Sequence, residues 1–365
     1  MKGLKAVLIT ALVGIVAAVT YFYFESAVHH GIDYVWNDLF DTETYRILVV
    51  PVCIAVTAAY FGVQHWLDPK SERQETHGLG SVPSPTVVNY LKVLAIGFLS
   101  LVAGASMGPE AILVPACIIM GSYIGSKLEN GDSAGAKIYG MAGFIGLFAA
   151  FFNSFFAGLL SLLIIKKELK IELNLRTIVF ASVAAGATVL TLDVLDSSPF
   201  VPNPSYSWKL NPATLLALVL LFAAGYLVTH ALAAAHANSE RITRKVLNSE
   251  WWVRGLAAGA GLSILYLLGG SLAQFTGNQA IMPMLQKSAE LGFLGLLWLL
   301  IIKILAIGWS KAAGYRGGLI FPTVFAASIL VAIAGLYVDN LNLLYGLIAA
   351  MAGVLYAEAK VKILL

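Results

Sequence analysis

The stretch Gly104-Ala-Ser-Met-Gly-Pro-Glu-Ala-Ile-Leu-Val-Pro115 places one carboxylate, Glu110, where two long apolar runs meet. Holding a charge at membrane depth costs about 2.5–3.5 kcal/mol even on the cheaper insertion scales, so an acid in this place needs a use. Gly104 and Gly108 loosen the backbone ahead of it, and Pro109 suits the start of a helix. The pattern predicts Glu110 in the first turn of a helix running to about Leu128. A carboxylate there meets free N–H groups and the positive end of the helix dipole. The same terminus can hold an external anion once the carboxylate moves away. Carboxylate and anion would then compete for one set of donors.

A second Gly-rich break, Gly317-Gly-Leu-Ile-Phe-Pro322, leads into another apolar run. Broken helices at matching places in two halves of a chain point to a binding site near the membrane midplane. Small residues also ease helix packing, and most of the 34 glycines fit that simpler role. The remaining reactive side chains are scattered. His29 and His30 lie in an acidic stretch and do not face one way on a helix. Arg316 precedes the second break, where it could attract anions or pair with a carbonyl or a lipid phosphate. Lys303 sits inside an apolar run, where a snorkelling role is expected. Cys53 and Cys117 read as small buried residues. No nucleotide loop, catalytic triad or paired His/Glu metal motif occurs, so neither a metal, a cofactor nor nucleic acid is expected. An intramembrane enzyme using Glu110 would need a second polar catalytic group at the same depth, and none stands out.

The elements that must position these residues are membrane helices. The chain has 365 residues, 59% of them hydrophobic and only 12% charged, against about 25% charged in a soluble domain. The first apolar run, Ala6 to Phe24, is too long for a signal-peptide core and reads as a retained helix. Lys2 and Lys5 precede it, Glu25 to Glu43 follows as an acidic loop, and Lys70 and Arg73 follow the second run. The positive-inside rule therefore sets the N-terminus in the cytoplasm. The Ser-, Pro- and Asn-rich stretch Asp196 to Pro212 divides the chain into membrane halves 1–200 and 201–365.

These motifs together resemble the CLC family of chloride channels and proton-coupled chloride transporters. Gly108-Pro-Glu-Ala-Ile112 is similar to the family's Gly-Lys/Arg-Glu-Gly-Pro, and Gly318-Leu-Ile-Phe-Pro322 to its Gly-x-Phe-x-Pro. Leu79-Gly-Ser-Val-Pro83 is similar to Gly-Ser-Gly-Ile-Pro, and Ile301-Ile-Lys-Ile-Leu305 to the segment ahead of the second motif. The resemblance covers nearly the whole chain and is nearest a divergent bacterial branch. It implies an all-α polytopic fold, an inverted repeat of tilted and broken helices, in a bacterial inner membrane. It also implies further helices beyond Leu365, and a homodimer with the segment from Ser154 to Ile165 and the next span in the interface.

The function implied is transport of chloride or another small anion, with Glu110 as the gate. Amides of Glu110 and Ala111 would face an outer anion site, and those of Leu319 and Ile320 a central one. The motif's serine falls at Gly80 or, one residue late, at Ser81. The departures bear on coupling. Pro109 removes one N–H donor, and the family's inner proton glutamate falls at Ile164 or Ile165. Glu168 stands one turn on and is the remaining candidate, with Glu110, for a proton route. Passive or weakly coupled conduction is expected over strict chloride/proton exchange. A secondary transporter of another anion is the alternative.

Overall fold

A computed structural model describes residues 2–68, 84–128, 133–169, 172–197, 211–247, 249–339 and 341–363. Within them the chain is helical, with one isolated antiparallel bridge between Gly108 and Gly318. The helices are α1 (Lys2–Ile32), α2 (Val49–Leu67), α3 (Val87–Val102), α4 (Glu110–Leu128), α5 (Ser133–Phe152), α6 (Phe155–Leu169) and α7 (Leu175–Val194). There follow α8 (Pro212–Leu247), α9 (Trp251–Gly269), α10 (Ile281–Gln286), α11 (Ser288–Ala313), α12 (Ile320–Gly335) and α13 (Leu343–Val361). Eight of these, α1, α2, α4, α7, α8, α9, α11 and α13, are long and apolar enough to cross a membrane.

The helices fall into two compact units, neither a continuous stretch of chain: residues 1–29, 75–98 and 111–201, and residues 30–74, 99–110 and 202–365. In the first, α5 packs against α6 and α7 around Tyr139, Phe144, Ile145, Phe180 and Ala184. Backbones approach closely there. A Cβ on Gly14 would lie 2.4 Å from the Ala184 carbonyl oxygen, the small-residue contact by which apolar helices associate in lipid. In the second unit α2 packs on α9, and α8 on α11 and α13. α11 carries a kink at Gly292 and packs on α12. Thr229 of α8 donates to the Val354 carbonyl at 3.3 Å.

Two expectations change. The acidic stretch after the first apolar run is not all loop: α1 continues through Ile32, and a π-helical turn extends it to Leu39. Glu25 and His29, one turn apart and 3.4 Å from each other, suit that continuation. Further on, Trp36 is fully buried and its indole N–H donates to the Val102 carbonyl at 2.8 Å. Lys303 does not snorkel either. It is 0% exposed, and its ammonium turns inward to backbone carbonyls. As expected, Cys53 and Cys117 are buried free thiols.

α8 runs for 36 residues, about 54 Å at 1.5 Å per residue, against roughly 30 Å of hydrocarbon. Its charged end, with Arg241, Arg244 and Lys245, therefore projects beyond the apolar span. Exposed apolar side chains lie along α6 (Phe156, Leu160, Leu163) and α7 (Leu175, Leu190, Val194).

Candidate functional site

The chain between α3 and α4 leaves the helical ladder after Ala105, and partners in the second unit take up polar groups of the break. The Tyr266 hydroxyl donates to the Gly104 carbonyl at 2.5 Å. The Ser106 N–H donates to the Ser310 hydroxyl at 3.0 Å, and the Thr276 hydroxyl to the Met107 carbonyl at 2.7 Å. Irregular backbone survives at membrane depth only where protein takes up its polar groups in this way. Gly104 has φ +98°, a conformation that glycine adopts at no steric cost.

The approach to α12 is held in the same manner. α11 ends at Gly314 in the left-handed conformation. The buried Tyr315 hydroxyl shares a hydrogen bond with Thr57 at 2.7 Å, and its ring stacks on Tyr60. The Arg316 N–H donates to the Ser100 hydroxyl at 2.8 Å. The two breaks then meet. Gly108 N–H donates to the Gly318 carbonyl at 2.8 Å, and Gly318 N–H to the Gly108 carbonyl at 2.7 Å.

Glu110, first residue of α4 and 6% exposed, lies against this bridge. Its Oε1 accepts the N–H of Ile320 at 2.6 Å and that of Phe321 at 3.3 Å. Ile320 and Phe321 open α12, so these are donors that no preceding helical turn could use. A Cβ at Gly318 would stand 2.2 Å from the Glu110 carboxyl carbon, and one at Gly108 2.1 Å from Oε2. Both glycines are needed because the carboxylate occupies the space of a side chain. A negative group on the positive end of a helix is chemically equivalent to a bound anion, with the protein supplying its own.

Of the residues singled out from sequence, Glu110 and Ile320 are in direct contact. Leu319 is the residue capping α12, without a side-chain bond to it. Phe321, not Leu319, is the second amide at the carboxylate. Ala111 is the next residue in the first turn of α4. Gly80 and Ser81 lie outside the described residues. Glu168 is in the last turn of α6, with its side chain outside the described residues. Ile165 is fully buried and Ile164 is exposed.

Sequence reasoning did not find Tyr266 and Thr276. The stretch Phe275-Thr-Gly-Asn278 carries no motif that would single it out. Its left-handed residues, Phe275 at φ +54° and Gly277 at φ +99°, bend it so that Thr276 reaches Met107.

This fold, with a helix-terminal carboxylate at a double glycine bridge, defines a membrane protein of broken helices. The family profile described as voltage gated chloride channel matches residues 69–364. The chain belongs to that family, the CLC proteins. Among curated relatives it is 28% identical over 250 residues to "Putative ion-transport protein YfeO" of Escherichia coli strain UMN026, covering 67% of this chain and 56% of that protein. The Shigella flexneri protein of the same name is 28% identical over 253 residues, 68% of this chain and 57% of its own length. The match thus spans little more than half of these relatives. The fold is similar to a slow cyanobacterial Cl−/H+ antiporter, with TM-score 0.68 and 16% identity, covering 97% of this chain and 94% of the other. It is also similar to a CLC-type fluoride/proton antiporter, with TM-score 0.65 and 16% identity over 97% and 95% of the two chains.

Proposed function

We propose that this chain carries chloride or another small anion across a membrane, with Glu110 as the gate. The observation that carries this reading is the Glu110 carboxylate on the Ile320 and Phe321 amides. A carboxylate that holds those donors excludes an anion from them, and one that leaves makes room for it. Protonation weakens the carboxylate as an acceptor and removes its charge, so acid favours release. Amides of Ala111 and Leu319 and the hydroxyl of Ser81, or the backbone at Gly80, complete the proposed set of anion contacts. Lipid surrounds the chain, its N-terminus lies on the cytoplasmic side of a bacterial inner membrane, and a second copy covers the apolar faces of α6 and α7.

Transport is passive or weakly coupled to protons in this reading, because Ile164 and Ile165 cannot hold a proton and Glu168 is left as the route's inner acid. Strict chloride/proton exchange is the second reading. One observation favours it: Glu358 on α13 is 5% exposed and accepts the Ile363 N–H at 3.0 Å, a second buried carboxylate in the unit that contains Glu110.

The test is anion efflux from liposomes holding the full-length protein, with proton movement recorded together. Anion flux without uphill proton movement supports the first reading. Proton pumping driven by a chloride gradient, lost in Glu168→Gln or Glu358→Gln, supports the second. Absence of anion flux, with saturable uptake of an organic acid or oxyanion instead, makes the chain a transporter of another class of anion.

A further inference from the structure

Lys303 lies within the span Ser288–Ala313 and is completely buried. Its Nζ meets three carbonyl oxygens of one turn: Phe275 at 2.5 Å, Ala273 at 3.3 Å and Gln274 at 3.5 Å. Three acceptors match the three N–H bonds of an ammonium, whereas a neutral amine has two. The same nitrogen stands 5.2 Å from the centroid of the Phe325 ring, a second contact that favours a cation. Among the described residues no carboxylate pairs with it. A buried cation usually has such a partner; this one has only dipoles and a ring.

Its neighbours lead to Glu110 in two ways. Phe325 is on α12, one turn beyond Phe321, whose N–H faces the carboxylate. The turn that Lys303 grips is the one that holds the α3–α4 break. The Phe275 N–H donates to the Tyr266 hydroxyl at 2.9 Å, that hydroxyl donates to Gly104, and the adjacent Thr276 donates to Met107. Met107 precedes the glycine that bridges to Gly318.

We propose that Lys303 is the positioning residue of the Glu110 cradle, its ammonium holding the 273–276 turn against the α3–α4 break and biasing the α12 N-terminus toward an anion. This rests on the functional reading above. Carbonyl dipoles satisfy the ammonium's hydrogen bonds but leave its net charge in place. An anion entering the cradle, or the Glu110 carboxylate itself, supplies the opposite sign.

The test is chloride and fluoride binding by calorimetry to the detergent-purified full chain, with Glu110→Gln as background so that the carboxylate does not compete. Adding Lys303→Met is expected to weaken binding roughly tenfold, the order of effect of one nearby unit charge through an effective dielectric of about 20. Lys303→Arg, which keeps the charge, is expected to bind within about threefold of the background, as a retained charge implies. Melting curves in detergent establish that each variant is folded. Where Lys303→Met does not fold, Lys303→Gln keeps N–H donors without the charge and carries the same expectation. Unchanged affinity in a folded, uncharged variant overturns the proposal and leaves Lys303 a structural pin. Failure of the Glu110→Gln background itself to bind either halide overturns the functional reading, and with it the ligand assigned to Lys303.

Discussion

Gly108 and Gly318, 210 positions apart in the chain, exchange two backbone hydrogen bonds of 2.8 and 2.7 Å. The Glu110 carboxylate packs against both where a side chain would otherwise be. This pairing brings the start of α4 to the first amides of α12 without any side chain of its own. Most of the functional behaviour expected of the chain follows from it.

Glu110→Gln removes the charge and the titration while keeping nearly the same shape. In the wild type, acid is expected to raise anion flux, because the protonated carboxyl gives up its amide partners more readily. In the variant, flux should be high and flat across the same pH range. Stopped-flow or electrode recordings of efflux at several pH values check this. A variant that keeps the wild-type pH profile removes Glu110 from the gate.

Gly318→Ala should unseat the same carboxylate by steric means. The added methyl needs the space 2.2 Å from the Glu110 carboxyl carbon. Overpacking of this kind costs about 1–3 kcal/mol, so a lower apparent melting temperature is expected together with a blunted pH response. A variant with unchanged melting and unchanged pH dependence would show that the cradle tolerates a Cβ.

Tyr266→Phe tests the clamp on the break. The hydroxyl donates to Gly104 and accepts from Phe275, so its loss leaves two buried backbone groups without that partner. About 1–3 kcal/mol is expected for each group left unmade. Thermal unfolding should drop by several degrees, and Glu110-dependent gating should lose its sharpness. Full stability in the variant would mean that other groups take over both bonds.

Assembly is checked by mass photometry in mild detergent. The exposed side chains of Phe156, Leu160 and Leu163 on α6, with Leu175 and Leu190 on α7, form the apolar surface proposed for a second copy. A dimer is expected, and charged substitutions at Leu160 and Leu190 should shift it to monomer. If those substitutions leave the mass unchanged, the contact lies elsewhere.

Much of this was legible in the sequence. Low charge and long apolar runs announced membrane helices, and the predicted start of a helix at Glu110 agrees with α4. The two Gly-rich breaks were visible as breaks, because glycine and proline interrupt helices by local chemistry. Their pairing was not, since a hydrogen bond between Gly108 and Gly318 depends on packing that no local pattern encodes. Lys303 was misjudged for a related reason. Its flexible stem allows it to reach toward water or toward carbonyls, and only the turn at Phe275, bent by a left-handed residue, decides between them. Thr276 and Tyr266 carried no signal, because one hydroxyl in a polar turn and one in an apolar helix resemble many others.

The Ile320 and Phe321 amides have one further consequence. Buried N–H groups left bare cost about 1–3 kcal/mol each, so a cradle vacated by Glu110 and filled by nothing is disfavoured by roughly thirty- to twenty-thousandfold. On the function proposed above, its occupant is swapped rather than released: the tethered carboxylate withdraws as a free ion arrives, and returns as that ion departs. A socket of this kind is self-sealing. On that reading it needs no lid between passages, because the plug is part of the chain and the empty state is the one that the backbone itself opposes.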